Sequence, residues 1–208
     1  ISQRLGGPGD GARDRRAVAR PNRLVDAIDQ GGEASVRVVA VCEAAGVTQG
    51  MVRYYFGDRD GLVSEAKGVR FGRRFGEFLD EFESAVVGCQ TSAQLREVID
   101  AVFARVFIAE RRALRLERNV DVGGAVGHAA LAERIAASRD QGCLHLARIL
   151  GSARDRGLIR NDVDVVAASA MYYAFVHGYS LWELSDETIS RAAIVESFKS
   201  AMFGLIFD

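Results

Sequence analysis

Residues 41–62 read VCEAAGVTQGMVRYYFGDRDGL, and this stretch holds the side chains best suited to act on a partner molecule. Cys42 and Ala45 are small enough to let two helices cross closely, and Gly46 tolerates the left-handed backbone of a tight turn. Thr48 can cap a following helix, and Val52 can anchor it inward. A small residue, a glycine four later and an apolar residue six after that is the spacing of a DNA-binding helix-turn-helix. On a wheel of about 100° per residue, Val52, Tyr55 and Phe56 share one side, while Gly50, Met51, Arg53 and Tyr54 share the other. Gln49 can offer a paired donor and acceptor to an adenine edge, and Arg53 can bind guanine or phosphate. Thr48 and the free N–H groups of the helix start suit a phosphate.

The elements that must position these residues follow from caps and breakers. A first helix is expected from Arg15 or Pro21 to about Gln30, ended by Gly31 and Gly32, with a second from Ser35 to Ala45. The third runs from Thr48 to Phe56, and a fourth from near Arg59 towards Val87, with a bend at Gly68 or Gly72. Thr91 or Ser92 opens a helix to about Glu110, and 111–127 reads as less regular, with GGAVG as a loop. Helices over 128–156, 163–184 and 187–206 follow, the last two capped by Asp162 and Asp186. Both prolines, Pro8 and Pro21, lie before all of these, and β-branched runs are scarce. The fold class is therefore all-α: a glycine-rich segment over 1–14 expected to be disordered, a three-helix helix-turn-helix domain over 15–60, and a larger helical domain over 61–208.

Charge divides along the same line. Residues 1–75 carry 13 Arg and Lys against 9 Asp and Glu, and the remainder carries 14 against 19, within a chain of net charge -1. Arg13, Arg15, Arg16, Arg20 and Arg23 form a basic arm. A basic first third on an acidic remainder suits a polyanion-binding head on a body with another task.

AGVTQGMVRYYFGDRDGL resembles the signature of tetracycline-repressor-like (TetR-family) transcriptional regulators, through Ala45, Gly46, Val47, Thr48, Gly50, Val52, Phe56, Asp58, Arg59 and Leu62. The resemblance implies base contacts from Gln49, Gly50, Met51 and Tyr54, and phosphate contacts from Thr48, Arg53, Tyr55 and Arg59. Arg53 stands where the family usually has tyrosine, and Tyr55 where it has histidine. The arginine usual in the second helix is met by Arg37, two places early. More loosely, residues 153–182 resemble the helix pair of the family's dimer bundle. A homodimer through the last two helices, double-stranded DNA and a small-molecule effector are the partners implied.

Within the body, Ala170, Tyr173, Ala174, Val176, His177 and Leu181 alternate small and large side chains, as facing helices require, and Val195, Phe198, Met202 and Leu205 form a stripe on the last helix. Phe103, Phe107, His145, Ile149, Tyr172, Phe175 and Tyr179 are the candidates for an effector pocket. An enzyme is not expected. The segment from Gly178 to Trp182 lacks the closing glycine of a nucleophile elbow, no phosphate loop occurs, and His128, His145 and His177 show no metal-ligand spacing. No cofactor is expected. The chain has no apolar run of roughly 18 residues, so no membrane span is expected. The first sixteen residues lack the apolar core of a signal peptide, and three scattered cysteines fit a reducing cytoplasm. The rival reading is a helical small-molecule-binding or adaptor protein without DNA binding.

Overall fold

The computed structural model describes residues 37–45, 48–184 and 189–207. Among these the chain is entirely helix, turn and loop, with no strand. The expected first helix, the arginine arm, Ser35, Gly46 and Asp186 lie outside the described residues. The helices are α1 (Val38–Ala45), α2 (Gln49–Phe56), α3 (Arg59–Gly88), α4 (Ser92–Val106), α5 (Arg112–Gly124), α6 (Ala129–Asp155), α7 (Val165–Tyr179) and α8 (Arg191–Ile206), with 3-10 turns at Ala109–Arg111 and Ser180–Glu183. No helix among them is long and apolar enough to cross a membrane. The described residues pack as two units, those up to Phe71 with 125–136, and 72–124 with those from 137 onward. The first unit thus runs past residue 60 and takes in the start of α6.

In the first unit, Cys42 of α1, Val52 of α2 and Leu62, Val63 and Ala66 of α3 form a buried cluster, with Val38, Val41, Met51, Tyr55 and Phe56 packed on it. Burying each of the larger side chains contributes about 1.5–3 kcal/mol. The corner between α2 and α3 is fixed by three residues. Gly57 adopts φ +78° and donates its N–H to the Arg53 carbonyl at 3.0 Å. Asp58 accepts the Gly61 N–H at 2.9 Å, which caps α3. Gly61 admits no side chain, because a Cβ there would lie 1.9 Å from the Phe56 carbonyl oxygen. Further along, Phe71 packs with Leu131 and Ile135 of α6, and Glu65 pairs with Arg134 at 2.7 Å.

Gly68 and Gly72, the two positions at which the sequence allows a bend, have a packing role. They sit inside the single helix α3 and make room for α6: a Cβ on Gly68 would come within 2.6 Å of the Arg134 Cβ, and one on Gly72 within 3.2 Å of the Ser138 hydroxyl.

The second unit is built on one core drawn from α3, α4, α6, α7 and α8, including Leu79, Leu95, Ile149, Ala153, Ala168 and Met202. Phe175 stacks on Phe198 at 3.7 Å, and the Arg96 guanidinium lies 4.0 Å over the Phe207 ring. Several boundaries depart from the sequence reading. Helix α4 stops at Val106, where Phe107 closes it and Ile108 turns extended, instead of reaching Glu110. Residues 112–124, expected to be irregular, form α5. Asp164, not Asp162, caps α7, accepting the N–H groups of Val166 and Ala167 at 3.0 and 2.9 Å; Asp162 pairs with Arg160 at 2.7 Å. Helix α7 ends at Tyr179, and Ser190 caps α8. The stripe of Val195, Phe198 and Met202 turns into the chain's own core, which leaves Leu205 as its exposed member.

Gly61→Ala must push against backbone, so it should destabilise the fold by about 1–3 kcal/mol or more. Gly76→Ala, whose Cβ would meet nothing within 4 Å, should be neutral or stabilising by up to about 1 kcal/mol. Thermal melts of the two variants check this pair, and equal melting temperatures would contradict the corner geometry.

Candidate nucleic-acid interface and effector cavities

Helix α2 rests on the first unit through one fully buried residue, Val52 at 2% exposure. Its N-terminus is set by Thr48, whose hydroxyl oxygen accepts the Met51 N–H at 3.3 Å. That hydroxyl still has a hydrogen to donate outward. Anchor and cap together fix which face looks away. Gln49, Gly50 and Arg53 are exposed, and Tyr54 is 83% exposed, its ring edge-on to Tyr55 at 5.0 Å. A Cβ on Gly50 would meet only the Thr48 hydroxyl at an ordinary 3.7 Å, so nothing within the chain requires glycine there. Met51, expected on the outward face, is half-buried and packs on the Val52 cluster. Tyr55 is half-buried on the same cluster. Arg37 is exposed directly before α1, and Arg59 opens α3 with Asp60 3.5 Å from its guanidinium.

The pocket candidates of the second unit separate into different settings. Phe103 and Tyr172 border a narrow, wholly apolar cavity of about 50 Å³, with Phe82, Ile99, Leu146 and Met202. Room of that size holds at most a few waters. A second cavity, of about 460 Å³, is walled by Phe103, Phe107, Tyr179 and Val195 and carries charge at Arg112, Arg115, Glu183 and Lys199. Phe175 stacks against Phe198, and Ile149 is buried in the core. His145 lines neither cavity. Its Nε2 meets the Glu83 carboxylate at 2.8 Å, and with Asp80 these residues bring three ligand-type atoms within 4.8 Å of one another.

Around the larger cavity lies a charged network that the sequence reading missed. Arg115 and Glu183 are both buried and pair through two contacts, Nε at 2.9 Å and Nη2 at 2.5 Å, while Nη1 donates to the Val106 carbonyl and Nη2 also to that of Ile108. A bidentate pair satisfied on every side is the form in which buried charge is tolerated. Arg112 donates to the Glu183 main-chain carbonyl at 3.0 and 2.5 Å, and Asn119 to the Ser180 hydroxyl at 2.5 Å. The only sequence signal was a set of arginines in 111–118 with helical spacing.

A third cavity, of about 600 Å³, lies on α6 and α7 and is bordered by Cys143, Leu144, Val166, Ala170, Ala174 and His177. Ala170 and Ala174 are exposed, as is Leu181, whereas Tyr173 and Val176 turn inward. On α8 the residues Ala193, Ser197, Ser200, Ala201 and Gly204 are exposed, so both last helices present small side chains to solvent. Cys42 and Cys89 are buried free thiols and Cys143 is half-buried; burial raises the pKa of Cys42 and Cys143.

The chain has the fold of TetR-family transcriptional regulators. Such a regulator from Rhodococcus sp. superimposes with a TM-score of 0.58 at 23% identity, covering 94% of this chain and 99% of that one. One from Mesorhizobium loti gives 0.60 at 14% identity, covering 95% and 98%. The regulator FadR of Bacillus subtilis, solved in complex with stearoyl-CoA, gives 0.50 at 18% identity, covering 90% and 97%. By sequence, 82 residues are 33% identical to the HTH-type transcriptional regulator BetI of Stenotrophomonas maltophilia, and this match spans 36% of the chain and 38% of that relative's length. No family model matches the chain.

His177 is pushed down to about 4 from its ordinary 6.5, first by burial and then by the Arg118 and Arg139 cations. Between these values the unfolded chain takes up a proton that the folded chain refuses, so stability should fall as pH drops from 6.5 towards 4. Above 6.5 this group adds no pH dependence. Urea unfolding at pH 7.5 and 5.0 checks it: His177→Gln should flatten the difference, and an unchanged difference would contradict the assignment.

Proposed function

We propose that the protein is a ligand-responsive DNA-binding transcriptional regulator, a homodimeric repressor that holds a palindromic operator until a small apolar or aromatic effector releases it. The single observation that carries this reading is the outward face of α2, where Gln49, Arg53 and the 83% exposed Tyr54 surround a glycine that internal packing does not demand. A missing side chain beside exposed hydrogen-bonding groups suits close approach to base edges in a major groove. Gln49, Gly50 and Tyr54 are the proposed base readers. Thr48, Arg53, Tyr55 and Arg59, with Arg37 at the start of α1, are the proposed phosphate contacts. Met51 contributes at the edge of that face.

Small side chains along the exposed sides of α7 and α8 support dimerisation through these last two helices, since they let helix backbones approach closely. Two copies related by a two-fold axis would place their heads on half-sites one helical turn or a multiple apart. Among the effector candidates, Phe103, Phe107 and Tyr179 are favoured, because they wall a cavity of about 460 Å³, within the size range of small-molecule sites. The stearoyl-CoA bound by FadR, a protein of similar fold, supports a ligand role for the body. A cytoplasmic setting is the reading that a DNA target and three free thiols support.

Anisotropy on a labelled random-sequence duplex tests the head without knowledge of the operator. Raising salt from about 50 to 200 mM should weaken binding by about 10³-fold or more, and Arg53→Ala should shallow the salt slope by about one unit. Arg53→Ala and Tyr54→Ala should melt like the parent chain. A flat salt response would instead favour the adaptor reading.

A further inference from the structure

We propose that the cavity between α4, α5 and α8 takes a small amphipathic carboxylic acid, a monoanion whose carboxylate is met by Arg112. This rests on reading the body as an effector domain. It also depends on which charges around the cavity already have a partner. Seven charged side chains line the cavity: Arg112, Arg115, Arg191 and Lys199 against Asp100, Glu183 and Glu196. Every acid already has a cation. Glu183 holds Arg115 in the buried bidentate pair, and Lys199 lies between Asp100 at 2.5 Å and Glu196 at 2.9 Å. Arg112 meets only the main-chain carbonyl of Glu183, through Nε and one terminal nitrogen, and no carboxylate among the described residues. A neutral carbonyl answers the geometry of a guanidinium without answering its charge, whereas a carboxylate ligand answers both.

The lining also carries apolar side chains, Phe103, Phe107, Ile108, Tyr179 and Val195, with Phe107 and Tyr179 edge-to-face at 4.9 Å. A body of apolar carbon therefore has somewhere to lie while its acid end faces Arg112. The adjoining cavity of about 50 Å³ offers no such combination, being apolar throughout.

Calorimetry on the full chain tests this with acids and their neutral amides of the same shape: octanoate against octanamide, and 2-naphthoate against 2-naphthamide. At least one acid should bind about tenfold or more tightly than its amide, the scale of a charge-assisted pair. Arg112→Gln should remove that preference by lowering the acid to the level of the amide. Ala192→Phe, which occupies the same space from an exposed lining position, should remove binding of both and serves if Arg112→Gln does not melt cooperatively. Equal binding of acid and amide, no binding of either acid up to about 5 mM, or an acid preference surviving both substitutions would each overturn the proposal. Duplex retention measured without any acid separates the two readings. Its loss in the parent chain alongside an intact acid preference would sink the regulator reading and leave the cavity assignment standing.

Discussion

The burial of Val52 among Cys42, Leu62, Val63 and Ala66 is the constraint on which the DNA-facing reading depends. An eight-residue helix is too short to be stable by itself in water, so its existence and its rotation are both set by what it packs against. With Val52 inward and Thr48 capping the first turn, Arg53 and Tyr54 have no choice but to point away. The corner after the helix closes off alternatives: Gly57 takes a conformation that L side chains rarely adopt, Asp58 caps the next helix, and Gly61 lies against the Phe56 carbonyl. Rotating α2 would cost the anchor, the cap and the corner together.

The body is held by a different kind of interaction. Glu183 accepts Arg115 through its carboxylate and Arg112 through its carbonyl, so two residues of α5 fasten the turn that ends α7. Such a network sits beside space large enough for a ligand. A group entering there would compete for, or reinforce, bonds made by the cavity's own walls. Communication between an effector and a DNA site needs a coupling of only about 1–3 kcal/mol, comparable to one or two charge-assisted hydrogen bonds.

Much of the architecture was legible because apolar periodicity and caps agreed. Thr48 and Thr91 cap where their positions suggested, and Val52 is the inward anchor that the spacing required. Helix α5 was not legible, for a clear reason. It buries Arg115 and Asp121 while exposing Leu114, Val120 and Val122, which inverts the pattern that marks an amphipathic helix. The cavity charges left only the helical spacing of their arginines, since the pairing between Arg115 and Glu183 bridges 68 residues. Met51 sits at the margin of the outward arc, where a long flexible side chain can fold back onto the cluster. Asp162 does not cap α7 because its carboxylate is held by Arg160, which leaves Asp164, two residues on, to accept the first free N–H groups.

Selection of bound fragments from a pool of random-sequence duplexes, followed by sequencing, addresses the central claim most directly. If the outward face of α2 reads base edges in a dimer, the enriched sequences share a two-fold symmetric motif that is lost when the selection is repeated with Gln49→Ala and Tyr54→Ala combined. An enriched pool indistinguishable from the starting one, or a motif unaffected by that double substitution, would contradict it.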